Sequence, residues 1–349
     1  MSTIHLLPKV PRGWVPFCLV LMLPLFSGCN GSAIFSSAGA DGGDGSGSAG
    51  PSPYIAEVFS YRYGIGQHAE SVGTAEEEAA GFLGTGSDYV RLGGWGGNIV
   101  AGFDHDVPNG EGYDLAVYTQ PGYGSEPGVV YVKPDTNGNG QPDGPDSNER
   151  WYELSGSETG EAYGSAAGGC SSDAPPADCD GRYRRDYRVT FFAPETQEAN
   201  ITWEDNQGAS GEIVPGFGEE SSASWWWNGY GDVDRVTFRG VKLPDNKYQD
   251  DGGTFLDYPS SSFPERFAWG YAENYGAEDL ATLRFGDRER GANRFDLGDA
   301  IDAQGDPVDL EAIRFIKVQT GVFLIAGELN EVSTEVSGAA DLHMLDGRE

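Results

Sequence analysis

From residue 54 onward, short apolar runs alternate with glycine-, asparagine- and aspartate-rich punctuation, and few segments show helical spacing. The first run, 55–61, reads as a strand. Further runs predict strands at 89–92, 98–103, 113–118, 129–132, 151–154, 187–192, 201–204, 236–243, 267–271 and 313–320. One stretch departs from this pattern. Thr74-Ala75-Glu76-Glu77 has the form of a capping box, with Ala79, Ala80, Phe82 and Leu83 behind it and Gly84 as a stop. It predicts one short helix. Many short strands joined by turns argue for an all-β fold, an antiparallel β-sandwich or jelly roll with long glycine-rich loops. No period of 20–50 residues repeats, which excludes propellers and solenoids.

The amino terminus follows another rule. Lys9 and Arg12 precede an apolar run at 14–26, too short to span a bilayer as a helix. The run ends in Leu25-Phe26-Ser27-Gly28-Cys29, small residues before a cysteine, which resembles the bacterial lipobox with Phe26 where leucine is usual. Residues 1–28 therefore read as a lipoprotein signal peptide, with Cys29 as the acylated residue. Residues 29–52 form a Gly/Ser-rich tether, and 53–349 a surface domain. Any subdivision of that domain falls near 205–224. The lipid is the expected contact with the membrane. Asn30 is not the aspartate that often retains lipoproteins in the inner membrane, so the outer membrane is the expected address.

The chain carries 55 acidic and 22 basic residues, a formal net charge of −33. Such a surface repels nucleic acid and anionic lipid and suits cations. Of four cysteines, Cys18 leaves with the leader and Cys29 carries lipid. Cys170 and Cys179 share a loop rich in Gly, Ser, Pro and Asp. Outside the cytoplasm they are expected to form a disulfide.

Residues 135–146, DTNGNGQPDGPD, have the spacing of an EF-hand-type calcium loop. Side-chain oxygens fall at the first, third, fifth, ninth and twelfth places: Asp135, Asn137, Asn139, Asp143 and Asp146. Gly140 occupies the sixth place, where such loops turn, and Gln141 offers its backbone carbonyl at the seventh. Calcium, a hard cation, takes six to eight oxygens. The twelfth ligand is aspartate rather than the longer glutamate, and the flanks read as strands rather than helices. A second acidic group, Asp104, Asp106, Glu111 and Asp114 with Glu126 further on, is read as turn and cap chemistry in preference to a second calcium site, with Asp114 facing inward to bond backbone amides. The aspartates from Asp296 to Asp309 are read as an acidic hairpin.

Several stretches occur in a recognisable order: Gly93-Gly94-Trp95-Gly96-Gly97, Gly102-Phe103-Asp104-His105, Gly112-Tyr113-Asp114-Leu115, Ser125-Glu126-Pro127-Gly128, the calcium-like loop, Trp151-Tyr152-Glu153-Leu154-Ser155-Gly156-Ser157-Glu158, Trp269-Gly270-Tyr271-Ala272-Glu273-Asn274, Ile313-Arg314-Phe315-Ile316-Lys317-Val318, and Gly327-Glu328 with Ser333-Thr334-Glu335-Val336. Over residues 54–342 this order resembles the poorly characterised "cell surface protein" lipoproteins of Gram-negative bacteria. The resemblance implies an extracellular β-rich module on the outer membrane and no established reaction. Some members are thought to sit near vitamin B12 or glycan uptake systems, which implies an outer-membrane transport partner. The loop holding Cys170 and Cys179 is not part of that pattern.

The candidate ligand surface is aromatic: Trp225, Trp226, Trp227 and Tyr230, with Trp95 and Trp269 as pocket walls. Adjacent strand residues face opposite ways, so three consecutive tryptophans do not all enter one core. The expected ligand is an extracellular glycan or small molecule. There is no GxSxG elbow, HExxH helix, phosphate loop or dinucleotide fingerprint, and there are four histidines. No enzyme is expected. The alternatives from other classes are a secreted glycan-active hydrolase and a structural or adhesive surface protein.

Overall fold

The computed structural model describes residues 35–36, 50–66, 74–86, 89–119, 125–144, 147, 149–160, 180–196, 199–213, 226, 229–246, 248–249, 255–256, 266–324 and 332–345. In chain order the strands are β1 (Phe35–Ser36), β2 (Glu57–Arg62), β3 (Val90–Arg91), β4 (Asn98–Pro108), β5 (Leu115–Thr119), β6 (Ser125–Lys133), β7 (Tyr152–Leu154), β8 (Arg184–Phe192), β9 (Ile201–Asp205), β10 (Ser210–Ile213), β11 (Arg235–Lys242), β12 (Tyr248–Gln249), β13 (Phe255–Leu256), β14 (Ala272–Asn274), β15 (Leu280–Phe285), β16 (Arg288–Phe295), β17 (Ala300–Ile301), β18 (Ala312–Thr320) and β19 (Glu335–Asp341). The fold is an all-β sandwich. Among the described residues every pairing of these strands is antiparallel.

An eight-stranded sheet runs β1-β2-β4-β18-β6-β7-β17, with β14 also paired to β6. It packs against a five-stranded sheet, β15-β16-β5-β19-β3. Between them lies the main core, in which Ile99 and Ala101 of β4, Val130 and Val132 of β6, and Ile316 and Val318 of β18 meet Leu115 and Val117 of β5 and Val336 of β19. The other face of β6 is also buried, with Val129 and Tyr131 in a separate cluster that includes Val241 and Phe267. That double burial explains the unbroken apolar run Val129-Val130-Tyr131-Val132, since a strand covered on both faces has no polar side.

A four-stranded sheet, β10-β9-β8-β11, carries a second core of Tyr187, Val189, Phe191, Ile201 and Phe238. Trp95 and Tyr63 belong to that core. The glycine-rich run around Trp95 makes this packing possible. A Cβ on Gly97 would stand 1.8 Å from the Leu92 carbonyl, and one on Gly64 would stand 1.8 Å from the Gly94 carbonyl. Only glycine permits two backbones to approach so closely.

The helix α1 (Ala75–Ala80) has the expected reciprocal cap. Thr74 Oγ1 accepts from the Glu77 amide, and Glu77 Oε2 accepts from the Thr74 amide. It ends earlier than the apolar pattern implied, at Gly81, so Phe82 is buried from a turn. Residues 267–271 are not a strand; pairing begins at β14 instead, with Ala272 opposite Gly128. The hairpin β15–β16, turning at Gly286-Asp287, did not stand out from the pattern because its exposed face carries alternating charges. Of the segment 205–224, residues 205–213 belong to the β9–β10 hairpin, and the remainder lies outside the described residues. Contacts group residues 32–349 into one unit; the other unit, Met1–Gly31, lies outside the described residues.

Candidate metal centre

The calcium-like loop connects β6 to β7, two adjacent strands of the large sheet. Its first residue organises its backbone. Asp135 Oδ1 accepts from the amides of Gly138 at 2.8 Å and Asn139 at 3.1 Å, and Oδ2 accepts from Gly140 at 2.8 Å. The asparagines repeat this on a smaller scale: Asn137 Oδ1 accepts from Asn139 at 2.9 Å, and Asn139 Oδ1 accepts from Gln141 at 2.8 Å. Gly138 and Gly140 have φ of +70° and +69°, a conformation that favours glycine. Side chains at alternate positions therefore turn toward one side. Asn137 Nδ2 and Asn139 Nδ2 both donate to Asp143 Oδ2, at 2.6 Å and 3.1 Å. Four of the expected side-chain ligands, Asp135, Asn137, Asn139 and Asp143, are thus joined in one network. Asp146 lies outside the described residues.

Glu149 is the residue the motif did not single out. Its side chain folds back under the loop and is 2% exposed. Oε1 accepts from the amide of Thr136 at 2.9 Å and from Asn137 at 3.4 Å, while Oε2 is buried with no hydrogen-bond partner. A buried carboxylate oxygen left unpaired is costly unless a cation or donor meets it. One cation already faces this region from β6: Lys133, itself 2% exposed, donates to the Asp143 carbonyl. Burial lowers its pKa, opposed by Glu149 and Asp143.

A second acidic convergence forms where β6, β14 and β19 meet. Ligand atoms of Glu126, Glu273 and Glu335 all lie within 4.8 Å of one another. Among the described residues, no other group of three His, Cys, Asp or Glu residues meets that distance, the loop's own carboxylates included. Glu273 Oε2 accepts from the Glu335 amide. Burial holds the Glu273 carboxyl well above the usual range, and the charges of Glu126 and Glu335 add to it. Burial also pushes Glu335 up to about 7, helped by Glu78 and opposed by Arg91. Glu273 has φ of +51°, the left-handed region, alone in this among the described non-glycine residues. No spacing in the sequence signals this triad, because only strand pairing brings its members together.

The remaining candidates are distributed differently. Trp95 and Trp226 are 1% and 0% exposed and belong to the second core, so neither presents a ring face outward. Each ring N–H instead meets a carbonyl, Val241 for Trp95 and Val233 for Trp226. Tyr230 is half-buried, packs on Trp226, and donates its hydroxyl to the Tyr63 carbonyl. Trp269 is partly exposed. Trp225, Trp227, Cys29, Cys170 and Cys179 lie outside the described residues.

The Asp104 group does not converge on one point. Asp104 meets His105, Asp106 pairs with Arg314, and Asp114 is fully buried and accepts from the amides of Gly110 and Leu297, both at 2.8 Å. The inward cap expected of Asp114 is present. Asp302 Oδ1 accepts from Gln304 and Asp306, closing the acidic hairpin. No protein-family model matches this chain, and no curated protein matches it.

Proposed function

We propose that the protein is a calcium-stabilised, lipid-anchored cell-surface binding module. It captures an extracellular glycan or small molecule and serves outer-membrane uptake. The lipid on Cys29 holds it at the membrane, a disulfide between Cys170 and Cys179 pins a loop, and calcium rigidifies the β6–β7 connection. The observation that supports the ion is the buried Glu149 carboxylate, whose Oε2 has no partner and whose Oε1 already rests on the loop backbone. Asp135, Asn137, Asn139, Asp143 and the Gln141 carbonyl supply further oxygens, which fits the hard-cation preference of calcium. Glu149 joins Asp146 as a closing ligand and provides the longer reach that aspartate lacks.

The test is thermal unfolding of chelator-treated protein with and without calcium. A ligand bound only by the folded state stabilises it by roughly 2.7 kcal/mol at a hundredfold excess over its Kd. Calcium is expected to raise Tm, and magnesium to do less because it demands near-ideal octahedral geometry. Asp135→Ala removes a ligand but also three backbone caps. Glu149→Gln keeps the shape and removes only the charge. It is expected to abolish most of the calcium shift while leaving ion-free stability unchanged or slightly higher. An equal calcium shift in wild type and Glu149→Gln, or none in wild type at millimolar calcium, would overturn the ion site.

A further inference from the structure

The outer face of the four-stranded sheet carries a second feature. Strand alternation buries Tyr187, Val189 and Phe191 of β8 and Val236 and Phe238 of β11. It turns Arg188, Thr190, Thr237 and Arg239 outward. Arg188 stands directly opposite Arg239 in the register, and Thr190 opposite Thr237, their hydroxyls 3.0 Å apart. On the other side of Thr190 the register brings Glu204 of β9. With Asn206 at one end, these side chains line a shallow cavity of about 360 Å³.

Like charges directly opposite each other in a sheet destabilise it. The same two strands neutralise their other cationic end: Arg184 meets Asp180 at 3.2 Å, and Lys242 meets Asp245 at 3.1 Å. The Arg188 and Arg239 guanidiniums have no ion-pair partner among the described residues, in a chain with 55 acids and 22 bases. Asp205 at the cavity edge is engaged elsewhere, accepting from the Tyr187 hydroxyl at 2.6 Å and from the Gln207 and Ala209 amides. Glu204 remains as an acceptor beside the two cations.

We infer that this face binds an acidic sugar, a hydroxylated ring with a single carboxylate, within an otherwise neutral glycan. Guanidinium forks match a planar carboxylate and hold it bidentately. Glu204, Asn206 and the threonine hydroxyls match ring hydroxyls. The polar lining is unsuited to an apolar small molecule, and the net charge of −33 opposes a densely charged polyanion. This rests on the binding-module reading and names its ligand class and its place.

The test is titration calorimetry of the full-length protein with sialyllactose and with glucuronic acid, using lactose as the neutral control and calcium present throughout. The acidic probes are expected to bind and lactose not. Binding should weaken with added salt. Arg188→Ala and Arg239→Ala each remove a charged donor and should weaken binding about ten- to a hundredfold. Both residues are exposed and each substitution relieves the opposed like charges, so neither variant should melt below wild type. No binding of either acidic probe, equal binding of lactose, or undiminished binding in the double variant would overturn the proposal. If calcium still raises Tm in that case, the calcium-stabilised module survives and only this face is lost. A neutral glycan bound in the double variant would keep the binding reading and move the site elsewhere.

Discussion

At the scale of single residues, the acids of this chain divide by what they face. Asp114 is the clearest structural case. Fully buried at the entrance to β5, it takes two backbone amides and the Nε2 of His343 at 2.8 Å, tying the 110 turn, the 297 turn and the carboxyl-terminal segment together. Asp114→Ala leaves two buried amides without an acceptor and is expected to cost about 2–4 kcal/mol. Urea unfolding measures this, and a loss below about 0.5 kcal/mol would show that the amides find other partners. Glu149 is the opposite case, since its second oxygen has none. Its identity was visible in the sequence, but its role was not. It lies beyond the twelfth position of the loop, and only the return of the chain toward β7 carries it under Thr136.

At the scale of elements, the junction of β6, β14 and β19 places three glutamates together and makes stability depend on pH. The folded-state pKa of Glu335 is raised to about 7, and that of Glu273 is raised further above its ordinary value. The folded state therefore holds protons that the unfolded state has released. The contribution of these two groups to stability is fully present below the ordinary glutamate pKa, near 4.5, and is lost as pH rises through about 7. Glu335→Gln removes its part of that loss. At pH 8 it is expected to stabilise the protein by up to ~3 kcal/mol, because each tenfold difference in proton affinity between the folded and unfolded chain is worth ~1.4 kcal/mol. At pH 4.5 it should do little. Melting curves at the two values decide this; a gain at pH 4.5 equal to that at pH 8 would remove the electrostatic explanation. The elements themselves were unevenly legible. β4, β6 and β18 announced themselves through apolar runs, and α1 through its cap. The β15–β16 hairpin and β19 did not, because their apolar positions are interspersed with Arg, Glu, Gly and Ser, and their burial comes from neighbouring strands.

At the scale of the whole molecule, the proposed anchor predicts that Cys29→Ser abolishes lipid modification. Metabolic palmitate labelling checks it, and unchanged incorporation in the variant would refute the anchor. The folded region is a two-sheet sandwich with a further four-stranded sheet packed around Tyr63 and Trp95. Its all-β character was determined by the sequence alone, because strand period, turn residues and the scarcity of helical spacing are local properties that each segment carries with it. The loop was equally local: Asp135, Asn137, Asn139 and Gly140 cap one another within five residues of chain. What required the tertiary structure was every relation between distant segments. Trp95 and Trp226 were drawn into a core rather than left as a binding face, because β8, β9 and β11 present an apolar side that must be covered. Glu126, Glu273 and Glu335 met through antiparallel pairing, and Arg188 came to face Arg239 through the register of β8 and β11. Such encounters depend on which strands become neighbours, and a one-residue change of register would send each of those side chains to the other face.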